Sequence, residues 1–259
     1  VFNTRSLQAA LQEGGLELNA SDPKAEKDLM EEILEAFRYA INQEHDKLRQ
    51  KGLSYPEVVI EDIWKSVFEG FHQQEKLFLK KNSDIRVFTF LFELMSNQVY
   101  PMPHLQGTLA LLKKKGYPLG IISNAQFYTP VIMNYFLGNQ FKETTHIKFI
   151  DEDLTVFSYQ QGRSKPDLKL FKTMAGRLQQ NHDISPEQTL YIGNDVYKDI
   201  YPASETGFKT VLFAGDKRSL RLRKDQKELN HVRPDHVIKD LRTLLEIVDE
   251  MVLDSNENY

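Results

Sequence analysis

The sequence predicts an α/β protein in which a helix-layered parallel sheet is joined to an all-α block. Three observations predict it. From Leu105 onward, helical stretches alternate with short β-favouring runs, the pattern of a parallel sheet covered on both faces. Across residues 9–98, apolar residues recur instead at helical spacing, which marks an all-α segment. Residues 189–213 read as strand, acidic turn, short helix, glycine and strand, a βαβ unit of an open parallel sheet.

In chain order, residues 1–7 are expected to be the tail of a strand and a turn, and residues 8–20 are weakly patterned with a break at Gly14-Gly15. Asp22-Pro23 opens a helix: Leu29, Ile33, Phe37 and Ile41 repeat on one face through about Arg49, and Gly52 stops it. Residues 57–80 hold one or two further helices with Ile63, Trp64, Val67, Phe68 and Phe71 on one side. Residues 84–97 hold another, with Phe88 and Phe92. These aromatic stripes read as the core of a helical bundle rather than as a ligand box.

The character changes at Tyr100-Pro-Met-Pro-His. Leu105–Lys115 is a predicted helix, Leu119–Ile122 a strand, residues 130–138 a helix and Thr155–Tyr159 a strand. Helix 167–179 follows, then strands at 189–192 and 209–213, a short run at Val237-Ile238, a helix over 240–251 and a frayed polar tail at 252–259.

Composition narrows the function classes. With 41% hydrophobic and 27% charged residues and a net charge of −4, nothing favours nucleic acid or an anionic membrane surface. No apolar run approaches a membrane span. The absence of cysteine excludes disulfides and thiolate metal sites and suits a cytoplasmic protein.

Three polar sites fall at the carboxyl ends of predicted strands, where open parallel sheets bind ligands. Ser123-Asn124 follows Gly120-Ile-Ile, a strand-to-helix turn whose hydroxyl and backbone N–H groups make an anion seat. Lys165 lies in a loop where Pro166 is expected to fix the helix start and the ammonium to face a phosphate. Asp195 and Asp199, four residues apart, offer hard oxygen ligands suited to Mg²⁺. Each has a bland alternative as a cap or a solvated charge. The joint occurrence of all three in this order favours a site.

These motifs resemble the haloacid dehalogenase superfamily. "LGIISNA" (119–125) is similar to its second motif, "SYQQGRSKPDLKLF" (158–171) to its third and "YIGNDVYKDI" (191–200) to its fourth. The resemblance implies a Rossmann-like core, residues 1–8 and 99–259, with a helical cap inserted as residues 9–98. By resemblance, Ser123 and Asn124 bind phosphoryl oxygens and substrate, and Lys165 holds the nucleophile and phosphate charges together. Asp195 and Asp199 ligate or support Mg²⁺. Asn194 stands where many members carry an acid.

The first motif, Asp-x-Asp-x-Thr, has no counterpart at the start of the chain. The best register puts Thr4 at its threonine and phosphate-binding position. Phe2 then stands at the acid/base position, and the nucleophilic Asp is expected immediately before Val1. Asp151 and Asp153 match the motif in letters. No room remains after them for a helix and cap, so they read as a solvated turn.

The expected function is a Mg²⁺-dependent phosphatase-like hydrolase of a small phosphorylated metabolite, working through an aspartyl-phosphate. Two alternatives stay open: a dehalogenase, favoured by Phe2, and a non-catalytic phosphate-binding scaffold. The sequence names neither the substrate nor the oligomeric state.

Overall fold

The computed structural model describes residues 4–138 and 146–257, and the expectations placed on Val1 and Phe2 lie outside them. The chain divides into two compact units, Val1–Tyr100 and Pro101–Tyr259.

The first unit contains α1 (Thr4–Glu13), β1 (Leu16–Leu18), α2 (Pro23–Gln50), α3 (Ile60–Gln73), β2 (Leu77–Leu79) and α4 (Ile85–Ser96). Helix α2 starts where the sequence says it should. The Asp22 carboxylate accepts the Lys24 and Ala25 N–H groups, both at 2.9 Å, and Pro23 has no N–H to satisfy. Asp84 caps α4 in the same way through Arg86 and Val87. The core is aromatic. Trp64 stacks on Phe37 with centroids 3.8 Å apart and meets Phe88 and Phe92 edge-on at 4.9 and 5.2 Å. Phe68 is buried in the same cluster, and Ile41 packs against it.

Two details of this unit differ from the sequence expectation. Residues 4–8 begin a helix rather than ending a strand, and Leu7 is fully buried in the aromatic cluster, so they pack with the helical unit. The unit is also not all-α. Leu16–Leu18 and Leu77–Leu79 pair antiparallel as a two-stranded ribbon, with Leu16 opposite Leu79.

The second unit alternates helix and strand. It runs α5 (Leu105–Lys114), β3 (Ile121–Ser123), α6 (Tyr128–Phe136), β4 (Thr155–Phe157), α7 (Ser158–Gln161), α8 (Leu168–His182), β5 (Leu190–Gly193), α9 (Tyr201–Glu205), β6 (Lys209–Phe213), β7 (His236–Ile238) and α10 (Thr243–Glu257). Every strand pair here is parallel, giving a Rossmann-like α/β core. Strand β3 pairs with β4, setting Ser123 opposite Phe157, and β5, β6 and β7 form a separate run in that order. Apolar faces pack against these strands from several helices. Phe171, Met174 and Leu178 of α8 lie with Ile122 and Val156, while Leu244 and Ile247 of α10 lie with Val211 and Ile238.

Boundaries shift modestly. The strand expected at 155–159 turns at Ser158 into the one-turn α7, and α10 continues to Glu257 where a frayed tail was expected from 252. No helix among the described residues is long and apolar enough to cross a membrane.

Candidate active site

Ser123 closes β3, and Asn124 stands just beyond it. The Asn124 side chain turns toward the Lys165 loop, where its Oδ1 accepts the Lys165 N–H at 2.6 Å. The Ser123 hydroxyl makes a long donation to the Asn124 carbonyl at 3.3 Å and is partly exposed. Pro166 does not open the next helix. The Lys165–Pro166 peptide is cis, and Asp167 caps α8 by accepting the Lys169 N–H at 3.0 Å.

The Lys165 ammonium reaches the carboxyl end of β5. It donates to Asp199 Oδ1 at 2.5 Å and to the Tyr191 hydroxyl at 3.3 Å. Asp199 is 4% exposed, and its second oxygen accepts the N–H groups of Asn194 and Asp195, each at 3.0 Å. The carboxylate therefore folds back under the strand end, which explains Gly193. A Cβ on Gly193 would lie 2.2 Å from the Asp199 Cβ, so no side chain fits there.

Burial alone would lower the Lys165 pKa. Tyr191 and Asp199, through charge and hydrogen bonds, outweigh burial and hold the ammonium above its ordinary value. The Tyr191 hydroxyl is pushed up to about 12, chiefly by burial. At neutral pH the phenol is neutral, so Asp199 supplies the negative charge beside Lys165.

Asp195 has a different set of partners. Its Oδ1 caps the following turn through the Tyr197 and Lys198 N–H groups at 2.9 and 3.2 Å. Arg223 grips both oxygens, with Nε 3.0 Å from Oδ1 and one terminal nitrogen on Oδ2. Burial pushes the Asp195 carboxyl up, but the hydrogen bond from Arg223, the two N–H groups and the Arg223 charge together hold it below the usual range.

The expected Mg²⁺ seat can now be tested against its donors. All four oxygens of Asp195 and Asp199 are engaged by cations or N–H groups, Asp195 Oδ2 by the Arg223 guanidinium. Among the described residues, no group of three or more His, Cys, Asp and Glu side chains could hold a metal ion. As arranged, these residues do not fit Mg²⁺.

Of the residues singled out in the sequence, Asn124, Lys165, Asp195 and Asp199 are joined in one hydrogen-bonded cluster, with Ser123 adjoining through Asn124. Thr4 opens α1 in the other unit. Asp151 and Asp153 precede β4, at the opposite end of that strand from the cluster. They are more than a solvated turn: Asp151 holds Lys113 and the Leu119 N–H, and Asp153 holds Asn181 and His182. Tyr191 and Arg223 were missed. Tyr191 reads as an ordinary strand residue. The only signal for Arg223 is the basic run Lys217-Arg-Ser-Leu-Arg-Leu-Arg-Lys224.

A parallel α/β core whose strand ends gather Ser-Asn, Lys and paired Asp defines a class of hydrolase, and sequence comparison agrees. The profile of the family described as haloacid dehalogenase-like hydrolase matches residues 27–213, well over half of the chain. The chain belongs to that family.

Proteins named glyceraldehyde 3-phosphate phosphatase are among its relatives. The one from Pyrococcus furiosus is 31% identical over 166 residues, 62% of this chain and 57% of the relative. That from Methanocaldococcus jannaschii is 31% identical over 154 residues, 60% of this chain and 59% of the relative. The aligned region thus spans less than two thirds of either relative. Among solved structures, a 2-haloacid dehalogenase from Pseudomonas syringae pv. Tomato aligns over 95% of this chain and 89% of its own, with a TM-score of 0.56 and 17% identity. A HAD phosphatase from Thermococcus onnurineus covers 95% and 92%, with a TM-score of 0.50 and 17% identity. At these identities the two structures speak to the fold alone.

Proposed function

We propose that this chain hydrolyses the phosphate ester of a small metabolite, with Ser123, Asn124 and Lys165 binding the phosphoryl group. The observation that carries this reading is the seating of Lys165. Its cation is largely buried, kept protonated and fixed by Asp199 at the strand ends, and its backbone is tied to Asn124, the neighbour of Ser123. The names of the archaeal relatives support a phosphorylated substrate and make a phosphorylated three-carbon aldehyde the first compound to try.

In this reading Lys165 neutralises charge on the phosphoryl oxygens as the ester bond breaks. Asp199 and Tyr191 position its ammonium, and Asn124 holds its backbone. Ser123 donates to a phosphoryl oxygen. The attacking group is proposed to be an Asp carboxylate, giving an aspartyl-phosphate as the alcohol leaves. Because every Asp195 and Asp199 oxygen already serves a cation or an N–H group, no step is assigned to Mg²⁺. The helical unit is proposed to be the substrate-selecting cap.

The test is release of phosphate from p-nitrophenyl phosphate and from a panel of triose and sugar phosphates, comparing the protein with Lys165→Met and Ser123→Ala. Lys165→Met is expected to lower kcat/KM by at least about 10²-fold, as loss of a preorganised charge stabiliser does. Equal rates with Lys165→Met, or halide release from a 2-haloacid with no phosphate release, would overturn the proposal.

A further inference from the structure

We propose that the guanidinium of Arg223 occupies the cation seat on Asp195, so that Arg223 and a divalent cation compete for one carboxylate. The inference concerns binding alone and stands whether or not the chain hydrolyses phosphate.

Asp195 sits at a strand end and is 7% exposed. A carboxylate so placed needs a positive partner. Arg223 supplies one with a planar fork that takes both oxygens at once. A divalent ion would need at least one of those oxygens: Oδ1 already accepts the Tyr197 and Lys198 N–H groups as well as Arg223 Nε, and Oδ2 is held by the guanidinium. Two positive charges on one buried carboxylate repel each other, so the two cations compete for it.

The loop carrying Arg223 is built to hold it there. Asp216 turns the chain by accepting the Arg218 and Ser219 N–H groups at 3.0 and 3.1 Å. Asn194 then receives the loop from both sides: its Nδ2 donates to the Ser219 carbonyl at 2.7 Å, and its carbonyl accepts the Arg221 N–H at 2.8 Å. The Val196 N–H donates to the Arg221 carbonyl at 2.9 Å, completing a parallel bridge between Asp195 and Arg221. Beyond the bridge, Arg223 adopts a left-handed backbone conformation, φ 53°, that costs a non-glycine residue energy and is retained by the surrounding bonds. Leu229 and Val232 anchor the far end of the loop against Val196, Ile200 and Leu212. Asn194 thus has a task of its own, since an amide can donate to Ser219 where a carboxylate could not.

The experiment measures Mn²⁺ binding by electron paramagnetic resonance and titration calorimetry. It uses the full chain and the variants Arg223→Gln, Arg223→Lys, Asp195→Asn and Asp195→Asn with Arg223→Gln, each first checked for native far-UV circular dichroism. Arg223→Gln is expected to bind Mn²⁺ at least tenfold more tightly than the unaltered protein. Arg223→Lys, which keeps the charge but cannot hold both oxygens, should fall between them. The double variant should lose the gain. If Arg223→Gln does not fold, the Arg223→Lys comparison carries the test by itself. Equal Mn²⁺ affinity with and without Arg223, no binding by a folded Arg223→Gln or Arg223→Lys protein, or a gain that survives Asp195→Asn would overturn the proposal.

Discussion

Replacing Asp199 by asparagine should unravel the cluster from its centre. The carboxylate serves one cation, one phenol and two backbone N–H groups. An amide has a single acceptor oxygen. If that oxygen stays on the Asn194 and Asp195 N–H groups, the amide NH₂ is turned toward the Lys165 ammonium, donor against cation. The Lys165 side chain is 14% exposed and Asp199's 5%, so water recovers little of the loss. Removing one partner of a buried pair typically costs about 3–5 kcal/mol. That is a large share of a typical domain's stability of about 5–15 kcal/mol. Lys165→Met should cost less, about 1–3 kcal/mol, because Asp199 keeps its two N–H donors. The double variant should cost less than the two single losses together, with a coupling of at least about 1.5 kcal/mol. Urea unfolding followed by far-UV circular dichroism reads these values, and hydrogen exchange in β5 and β6 localises them. A single-variant cost under about 1 kcal/mol for Asp199→Asn, or strict additivity in the cycle, would refute the account.

Two further predictions concern stability. Gly193→Ala should destabilise by more than about 3 kcal/mol, since its Cβ meets Asp199 at 2.2 Å, whereas Gly70→Ala in α3, with nothing within 4 Å of the new Cβ, should stabilise by about 0.5–1 kcal/mol; thermal melts check both. Burial raises the Asp235 pKa, but hydrogen bonds from the Thr210 hydroxyl and N–H, each 2.7 Å, outweigh it and hold the carboxyl below its usual 3.8. A depressed folded-state value contributes stability that is complete above pH 3.8 and is lost as pH falls through the lower folded value. Asp235→Asn should therefore cost about 1 kcal/mol near neutrality, a modest figure because the residue is largely exposed, and the difference should vanish in strong acid; urea melts across pH measure it.

The parts of this protein that could be read in advance are those encoded locally. Asp22-Pro23 specifies a helix start through one carboxylate and one missing N–H, and the Ile121–Ser123 strand is announced by its apolar run and the polar turn after it. Three-residue strands carry no period, so the β1–β2 ribbon, whose partners lie some sixty residues apart, left no trace in the pattern. The pairing of Asp195 and Asp199 looked like one metal site because four residues separate them. The fold gives them separate tasks, one facing Lys165 from β4's loop and the other facing Arg223, 28 residues downstream. Nothing local to either carboxylate states which cation it will meet.

The parallel sheet lies in two runs, β4 with β3 and β5 with β6 and β7, and among the described residues neither β3 nor β5 has a strand on its other edge. Tyr191 reaches from β5 to the Ile122 carbonyl of β3 at 3.4 Å, one side-chain bond where a ladder would make several. Its hydroxyl has a single proton to share between that carbonyl and Asp199, 3.3 Å away. The Tyr191 phenol therefore couples the charge on Asp199 to the placing of β5 against β3, so a change at the Lys165–Asp199 pair is passed to the strand that carries Ser123.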